Sequence, residues 1–307
     1  MTGKQKGFFY VILGSMLWGA SGTAAQFFFQ ENDVSTQWVV GARLLTAGLL
    51  LMIWTLVKTP DQIKELLKNK KDFIRLLLFG FCGVLPAQFT YFMSIRYGNA
   101  PTATVLQFLS PLFILFYLSL KNKELPRKIE TFSVFLSLLG TFLLVTQGKL
   151  GQLALAPAAV IWGVLAGVSA ASYTLLPRDL LKKYDVGLVT GGAMFLTGLA
   201  FLPLMISTPI PAITVNGWLT LAYIIVGGTM FSFLFYTKSL NYLEPTVTSM
   251  LSSFEPLTAT VLAMVLLGTK FSIIEALGAT MILSTTFIQA ISARMAQKKW
   301  NVKKLED

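Results

Sequence analysis

"PTVTSMLSSFEPLTATVLAMVLL", residues Pro245 to Leu267, is about as long as a helix must be to cross a bilayer core. It is apolar except for small hydroxyl side chains and one carboxylate, Glu255, set against Pro256. The stretch 145 positions earlier, Ala100 to Asn122, reads "APTATVLQFLSPLFILFYLSLKN" and puts Pro111 opposite Pro256. On the same offset Tyr91, Ser94 and Tyr97 meet Tyr236, Ser239 and Tyr242, and Ile129-Glu130 meets Ile274-Glu275. A membrane unit is written twice in this chain.

Outward from that pair, apolar runs of spanning length recur along all 307 residues. Ten spans are expected, near 7–29, 36–57, 73–97, 100–120, 129–147, 157–177, 187–207, 215–240, 245–267 and 273–296. The composition agrees: 54% hydrophobic, 13% charged, mean hydropathy +0.67. A transmembrane barrel would show shorter segments of alternating polarity instead. The N-terminus has two lysines, an apolar core and small residues, as a signal peptide does. Its apolar run continues through "FFF", however, and supplies the first span. Lys58 to Asp72, the one long polar link, reads as a basic amphipathic segment on an anionic membrane surface.

The net charge of +11 is distributed as membrane topology requires, so no nucleic-acid partner is expected. With the N-terminus inside, every basic residue except Arg43, Arg96, Lys149 and Lys270 falls on the cytoplasmic side. That bias predicts a multi-pass cell-membrane protein with both termini cytoplasmic. Cys82 is the single cysteine and cannot form an intramolecular disulfide, and with no histidine there is no His-based metal site or proton relay.

Five spans per unit is an odd number, so the second unit enters the membrane upside down. The expected fold is all-α, ten transmembrane helices as two inverted five-helix repeats, residues 1–148 and 149–307, around a central cavity. Inverted repeats are common in secondary transporters, whose substrate sites lie near the midplane. The second span fits the pairing: "GARLLTAGLL" from Gly41 matches "GAMFLTGLAF" from Gly192, which sets Arg43 opposite Met194.

With these features the chain resembles the EamA-type family of the drug/metabolite transporter superfamily over nearly its whole length. The resemblance rests on "GSMLWG" (Gly14 to Gly19), the arginine of "GARLL", the "LSP" and "FEP" prolines and the duplicated unit, in that order and spacing. It implies ten helices around a central cavity and the export or exchange of small metabolites, often amino acids. The family pattern commonly has a glutamate just after span nine. Here that stretch reads Gly268-Thr269-Lys270, while Glu124 holds the corresponding place after span four.

Two charges lie deep in spans, Arg43 roughly 12 Å and Glu255 roughly 15 Å from the ends of theirs. An ionisable group in hydrocarbon is costly unless paired or facing water. Both are therefore candidates for the substrate cavity, the alternative being an ion pair locking spans two and nine. Trp18, Gln88, Tyr91, Gln107, Tyr173 and Tyr236 complete the candidate substrate-binding set. Tyr91 and Tyr236 stand out because they hold equivalent repeat positions. Pro111 and Pro256 are candidate helix kinks that free mid-membrane carbonyls, with simple packing as the alternative. Ser249, Ser252, Ser253 and Thr104, and the Gly163/Gly167 pair, suit close helix packing.

The expected function is secondary transport, as exporter or exchanger, of small polar or amphipathic metabolites such as amino acids. A lipid-substrate flippase and a channel-like facilitator are the alternatives. No phosphate-binding loop is present, and the clustered carboxylates that a metal-dependent membrane enzyme needs are missing. No enzyme activity, cofactor or metal is expected. Glu255 is the evident proton-coupling site. Partners would be the small-molecule substrate, membrane lipid and, as a homodimer, a second copy of the chain.

Overall fold

The computed structural model describes residues 2–123, 125, 127–147, 155–207, 212–239, 242–243, 248, 251–285, 287–288 and 291. Among these residues the regular structure is entirely helical. The first part of the chain forms α1 (Gly3–Glu31), α2 (Thr36–Lys58), the short α3 (Pro60–Lys68) and α4 (Lys70–Tyr97). Next come α5 (Ala100–Gln107), α6 (Ser110–Asn122) and α7 (Lys128–Thr146). The remainder is α8 (Pro157–Leu175), α9 (Val186–Ser207), α10 (Val215–Tyr236), α11 (Phe254–Leu267) and α12 (Ile273–Thr285).

Among the described residues seven stretches are long and apolar enough to cross a membrane: α1, α2, α4, Ala100–Lys121, Pro157–Leu181, α9 and α10. Ten were expected. Of the other three, the span at 129–147 falls on the 19-residue α7. Those at 245–267 and 273–296 hold the shorter α11 and α12. The start of the quoted stretch at 245–247, Ser249, Glu124 and the basic tail from 292 lie outside the described residues.

Helix ends are set by local chemistry, because the first N–H groups of a helix have no partner within it. Thr2 and Gln5 form a reciprocal capping box for α1. The Ser35 hydroxyl accepts from the Trp38 N–H at 3.2 Å, and the Asn99 side chain from the Thr102 N–H at 2.9 Å. The amphipathic link appears as α3, which buries Leu66 and leaves its lysines exposed.

Several local features recur 145 residues apart. Glu130 accepts from the Arg127 N–H, and Glu275 from the Ser272 N–H, each at 2.6 Å. These glutamates cap α7 and α12, which gives a specific reason for two carboxylates at span ends. Lys123 after α6 and Gly268 after α11 both have left-handed backbone, at φ 56° and 61°. Wide π-helical turns occupy Gly80–Val84 inside α4 and Val226–Phe231 inside α10.

Both repeat prolines lie in the first turn of a new helix rather than in the middle of one. Phe108 and Leu109 form a turn before α6, and Ser252 and Ser253 a turn before α11. A first-turn proline is tolerated because its missing N–H has no intrahelical acceptor anyway. Each therefore marks a break and restart of the helix, where a kink was expected.

Glycines set the closest approaches. A Cβ on Gly48 would strike the backbone of Met194 and Phe195, and one on Gly198 the backbone of Leu44 and Leu45. As α2 ascends, α9 descends, so this central pair is antiparallel. Gly14 and Gly19 bring α1 against the backbones of α10 and α11, and Gly163 and Gly167 bring α8 against Leu106 of α5. The core between them is apolar, with Val39, Leu44, Phe92, Leu188 and Met194 buried.

Candidate functional site

The packing of α1, α2, α4 to α6 and α8 to α11 leaves a cavity of about 490 Å³, within the usual range for small-molecule sites. Trp18, Arg43, Gln88, Tyr91, Gln107, Tyr173, Tyr236 and Glu255, all eight residues singled out in the sequence, line it.

Its walls differ in chemistry. One is an unbroken arc of rings: Tyr236 lies 5.1 Å from Trp18, Trp18 4.9 Å from Phe233, Phe233 5.4 Å from Tyr173, and Tyr173 5.5 Å from Phe79. Tilted and edge-on contacts of this kind hold each ring in place. The cavity also carries the polar groups Arg43, Gln88, Tyr91, Gln107 and Glu255.

Tyr91 is fixed by a 2.9 Å hydrogen bond between its hydroxyl and that of Thr104, which in turn donates to the Ala100 carbonyl at 2.8 Å. Gly22 leaves room for that phenol against α1. Thr104 thus holds a cavity group as well as packing closely. Glu255, in the first turn of α11, is brought to the cavity because Gly19 lets α1 approach its backbone. There its carboxylate lies at the positive end of a helix dipole.

Arg43 is buried, with its guanidinium 4.6 Å from the centre of the Phe92 ring. Its Nε donates to the Thr229 hydroxyl and its Nη2 to the Gly228 carbonyl at 3.1 Å, while Nη1 has no hydrogen-bond partner among the described residues. No ion pair joins Arg43 to Glu255 among the described residues. The expected alternative, a lock between spans two and nine, is therefore not formed. Arg43 is tied to α10 instead.

Sequence reasoning missed Phe79, Phe233 and Thr229. A phenylalanine in an apolar span carries no signal of which way it faces, and a threonine there satisfies its hydroxyl on its own helix.

At one end the cavity runs out between Thr174 and Arg178, which are exposed. The rim there is built on Asp72, buried and accepting from Asn69 and Lys183 at 2.9 Å and from Tyr184 at 3.2 Å. Burial first, and then the Asp72 hydrogen bond, pushes the Tyr184 phenol up to about 12, so it stays a donor at any physiological pH. The other end is closed. Gln26 of α1 donates to the Thr269 hydroxyl and accepts from the Ala100 N–H, both at 2.9 Å. Beyond it Asn32 accepts from the Thr214 N–H at 3.1 Å, and Arg96 pairs with Asp33 at 3.5 Å.

Among the described residues no cluster of three or more acidic or cysteine side chains could hold a metal ion. The cavity offers recognition groups, not a nucleophile with its base.

The EamA-like transporter family model matches residues 5–146 and again 157–290. The chain is 36% identical to a Salmonella typhimurium protein named "Uncharacterized inner membrane transporter YicL", over 96% of this chain and 98% of that one. It is 26% identical to "Uncharacterized transporter YwfM" of Bacillus subtilis over 92% and 93% of the two chains. "Riboflavin transporter ImpX" of Fusobacterium nucleatum is 29% identical over 60% of this chain and 62% of its own. One solved structure shares the fold at a TM-score of 0.62 and 16% identity, covering 96% of this chain and 98% of that chain. With a helical membrane fold, a cavity suited to small molecules and a family match over both halves, the chain is a membrane transporter, not an enzyme, and belongs to the EamA-like transporter family.

Proposed function

We propose that this protein is a secondary carrier for small amphipathic metabolites bearing both an anionic and a cationic group, with amino acids as the plainest example. Export or exchange across the cytoplasmic membrane is the expected mode. The observation that carries this reading is the placing of Arg43 and Glu255, opposite charges not paired to each other, on one cavity faced by an aromatic arc. A carboxylate would meet the guanidinium, an ammonium would meet Glu255, and an apolar or aromatic body would lie on the rings. Glu255 is also the group we assign to proton coupling.

The architecture behind this is ten transmembrane helices in two inverted repeats, 1–148 and 149–307. The recurring π turns, caps and left-handed residues support it, as does the antiparallel packing of α2 on α9. The bias of basic residues puts the Arg178 rim, and both termini, in the cytoplasm. The cavity then faces inward, with Gln26 at the closed outer end.

Thermal stabilisation of the purified protein tests the substrate class. The panel would contain amino acids, their amides and esters, and riboflavin, since one relative bears that name. Amino acids should stabilise, and analogues lacking either charge should not. Stabilisation by neutral analogues alone would reject the reading. Orientation is tested separately in a Cys82→Ser background, because Cys82 is exposed. A cysteine at Asp33 should label from outside intact cells and one at Lys123 should not.

A further inference from the structure

The π turn of α10 does more than interrupt a helix. In a regular helix the Ser232 N–H would bond the Gly228 carbonyl. Here it goes to Gly227 and Thr229 instead, and the Gly228 carbonyl accepts from Arg43 Nη2 at 3.1 Å. The Thr229 hydroxyl donates to the Ile224 carbonyl five residues back, at 2.8 Å. A hydroxyl has a single proton, so toward Arg43 this one can only accept. Gly228 contributes by its bareness, since a Cβ there would collide with Ser21 of α1, a cavity residue.

We propose that Thr229 is a positioning residue for substrate recognition: with the Gly228 carbonyl it fixes two edges of the Arg43 guanidinium and leaves the Nη1 edge for the substrate's anionic group. This rests on the reading that Arg43 receives that group. Without the anchor, a long flexible side chain would sample several rotamers, and ordering it would oppose binding. With it, the ordering is done before the substrate arrives. The π turn is the device that supplies both acceptors, in keeping with the frequent occurrence of such turns at functional sites.

The test uses full-length protein in lipid nanodiscs, as wild type, Thr229→Val and Thr229→Ser. Valine keeps the shape and removes the hydroxyl, while serine restores it. The first readout is hydrogen exchange of the Arg43 Nε–H by ¹⁵N NMR, assigned by its loss in Arg43→Met. Thr229→Val should exchange about tenfold faster, the scale of one hydrogen bond to a charged group, and Thr229→Ser should match wild type. The second readout is the ratio of affinities for phenylalanine and phenylalaninamide, which differ in the carboxylate. Thr229→Val should lower that preference about tenfold in protein that is still folded, though less stable for the loss of one buried hydrogen bond, and Thr229→Ser should restore the preference. Unchanged exchange in Thr229→Val, or an unchanged carboxylate preference, would overturn the proposal. If wild type binds neither probe, or binds both alike, the bipolar-substrate reading fails, and the exchange measurement still decides whether Thr229 holds Arg43.

Discussion

Arg43 and Met194 occupy matched positions in the two segments that fit the family model, and Thr229 and Val84 occupy matched positions in the two π turns. All four are buried. Arg43 and Thr229, one from each half, are polar and hydrogen-bonded to each other, while their counterparts Met194 and Val84 are apolar. The same scaffold therefore supports either solution. A guanidinium in an apolar bundle needs its acceptors supplied by a neighbouring helix, whereas a thioether needs only volume. The difference teaches that Met194 and Val84 need only to pack, whereas Arg43 and Thr229 must satisfy each other, as the proposed recognition role of Arg43 requires.

The strongest way to break this comparison is to force the polar member into the wrong half. Met194→Arg would bury a guanidinium at the position matched to Arg43, where the counterpart of Thr229 is Val84 with no side-chain acceptor, and should cost about 3–5 kcal/mol of stability. Adding Val84→Thr should recover part of it. Denaturation of the purified variants would show this, and a Met194→Arg protein as stable as wild type would mean that the two sites do not differ as described.

The converse exchange, Arg43→Met, copies the second half into the first. The fold should survive, because methionine fills the space. Affinity for a carboxylate-bearing substrate should fall by about 2 kcal/mol, roughly 30-fold. Equal binding by the variant, measured by calorimetry, would remove Arg43 from the site.

Glu255→Gln sharpens the comparison from the other charge. Glutamine mimics a protonated carboxyl in shape, so counterflow exchange should remain measurable in proteoliposomes while net transport loses its pH dependence. Normal transport with that dependence intact would leave Glu255 an ammonium-binding or packing group.

The smallest effect concerns the paired tyrosines. Tyr91→Phe loses the bond to Thr104 and should destabilise by about 1 kcal/mol. Tyr236, whose hydroxyl has no partner among the described residues, packs by its ring on Trp18. Tyr236→Phe should stay within about 0.5 kcal/mol of wild type. Equal losses in both would mean that the phenols are held alike.

Much of the site was legible in the sequence because charge, amide and phenol groups are costly in hydrocarbon. Arg43, Glu255, Gln88, Gln107, Tyr91 and Tyr236 each needed a cavity or a partner, and each lines the cavity. The repeat was legible because matched turns need matched residues. Glu130 and Glu275 repeat since each caps a helix start, and the prolines repeat since each opens a helix.

By itself the sequence determined that this chain crosses a membrane as helices, that it contains two related units, and which polar side chains must avoid lipid. These follow from local chemistry: apolar length, caps and the cost of charge in hydrocarbon. Only the tertiary structure decided that Arg43 bonds a π turn of α10 and not Glu255, that Phe79 and Phe233 complete the aromatic arc, and that Gln26 closes the end away from Arg178. The physical reason is that a side chain's own chemistry sets its need for a partner. Which partner it meets depends on helix rotation and on how closely glycines let backbones approach, and those are properties of the packed bundle.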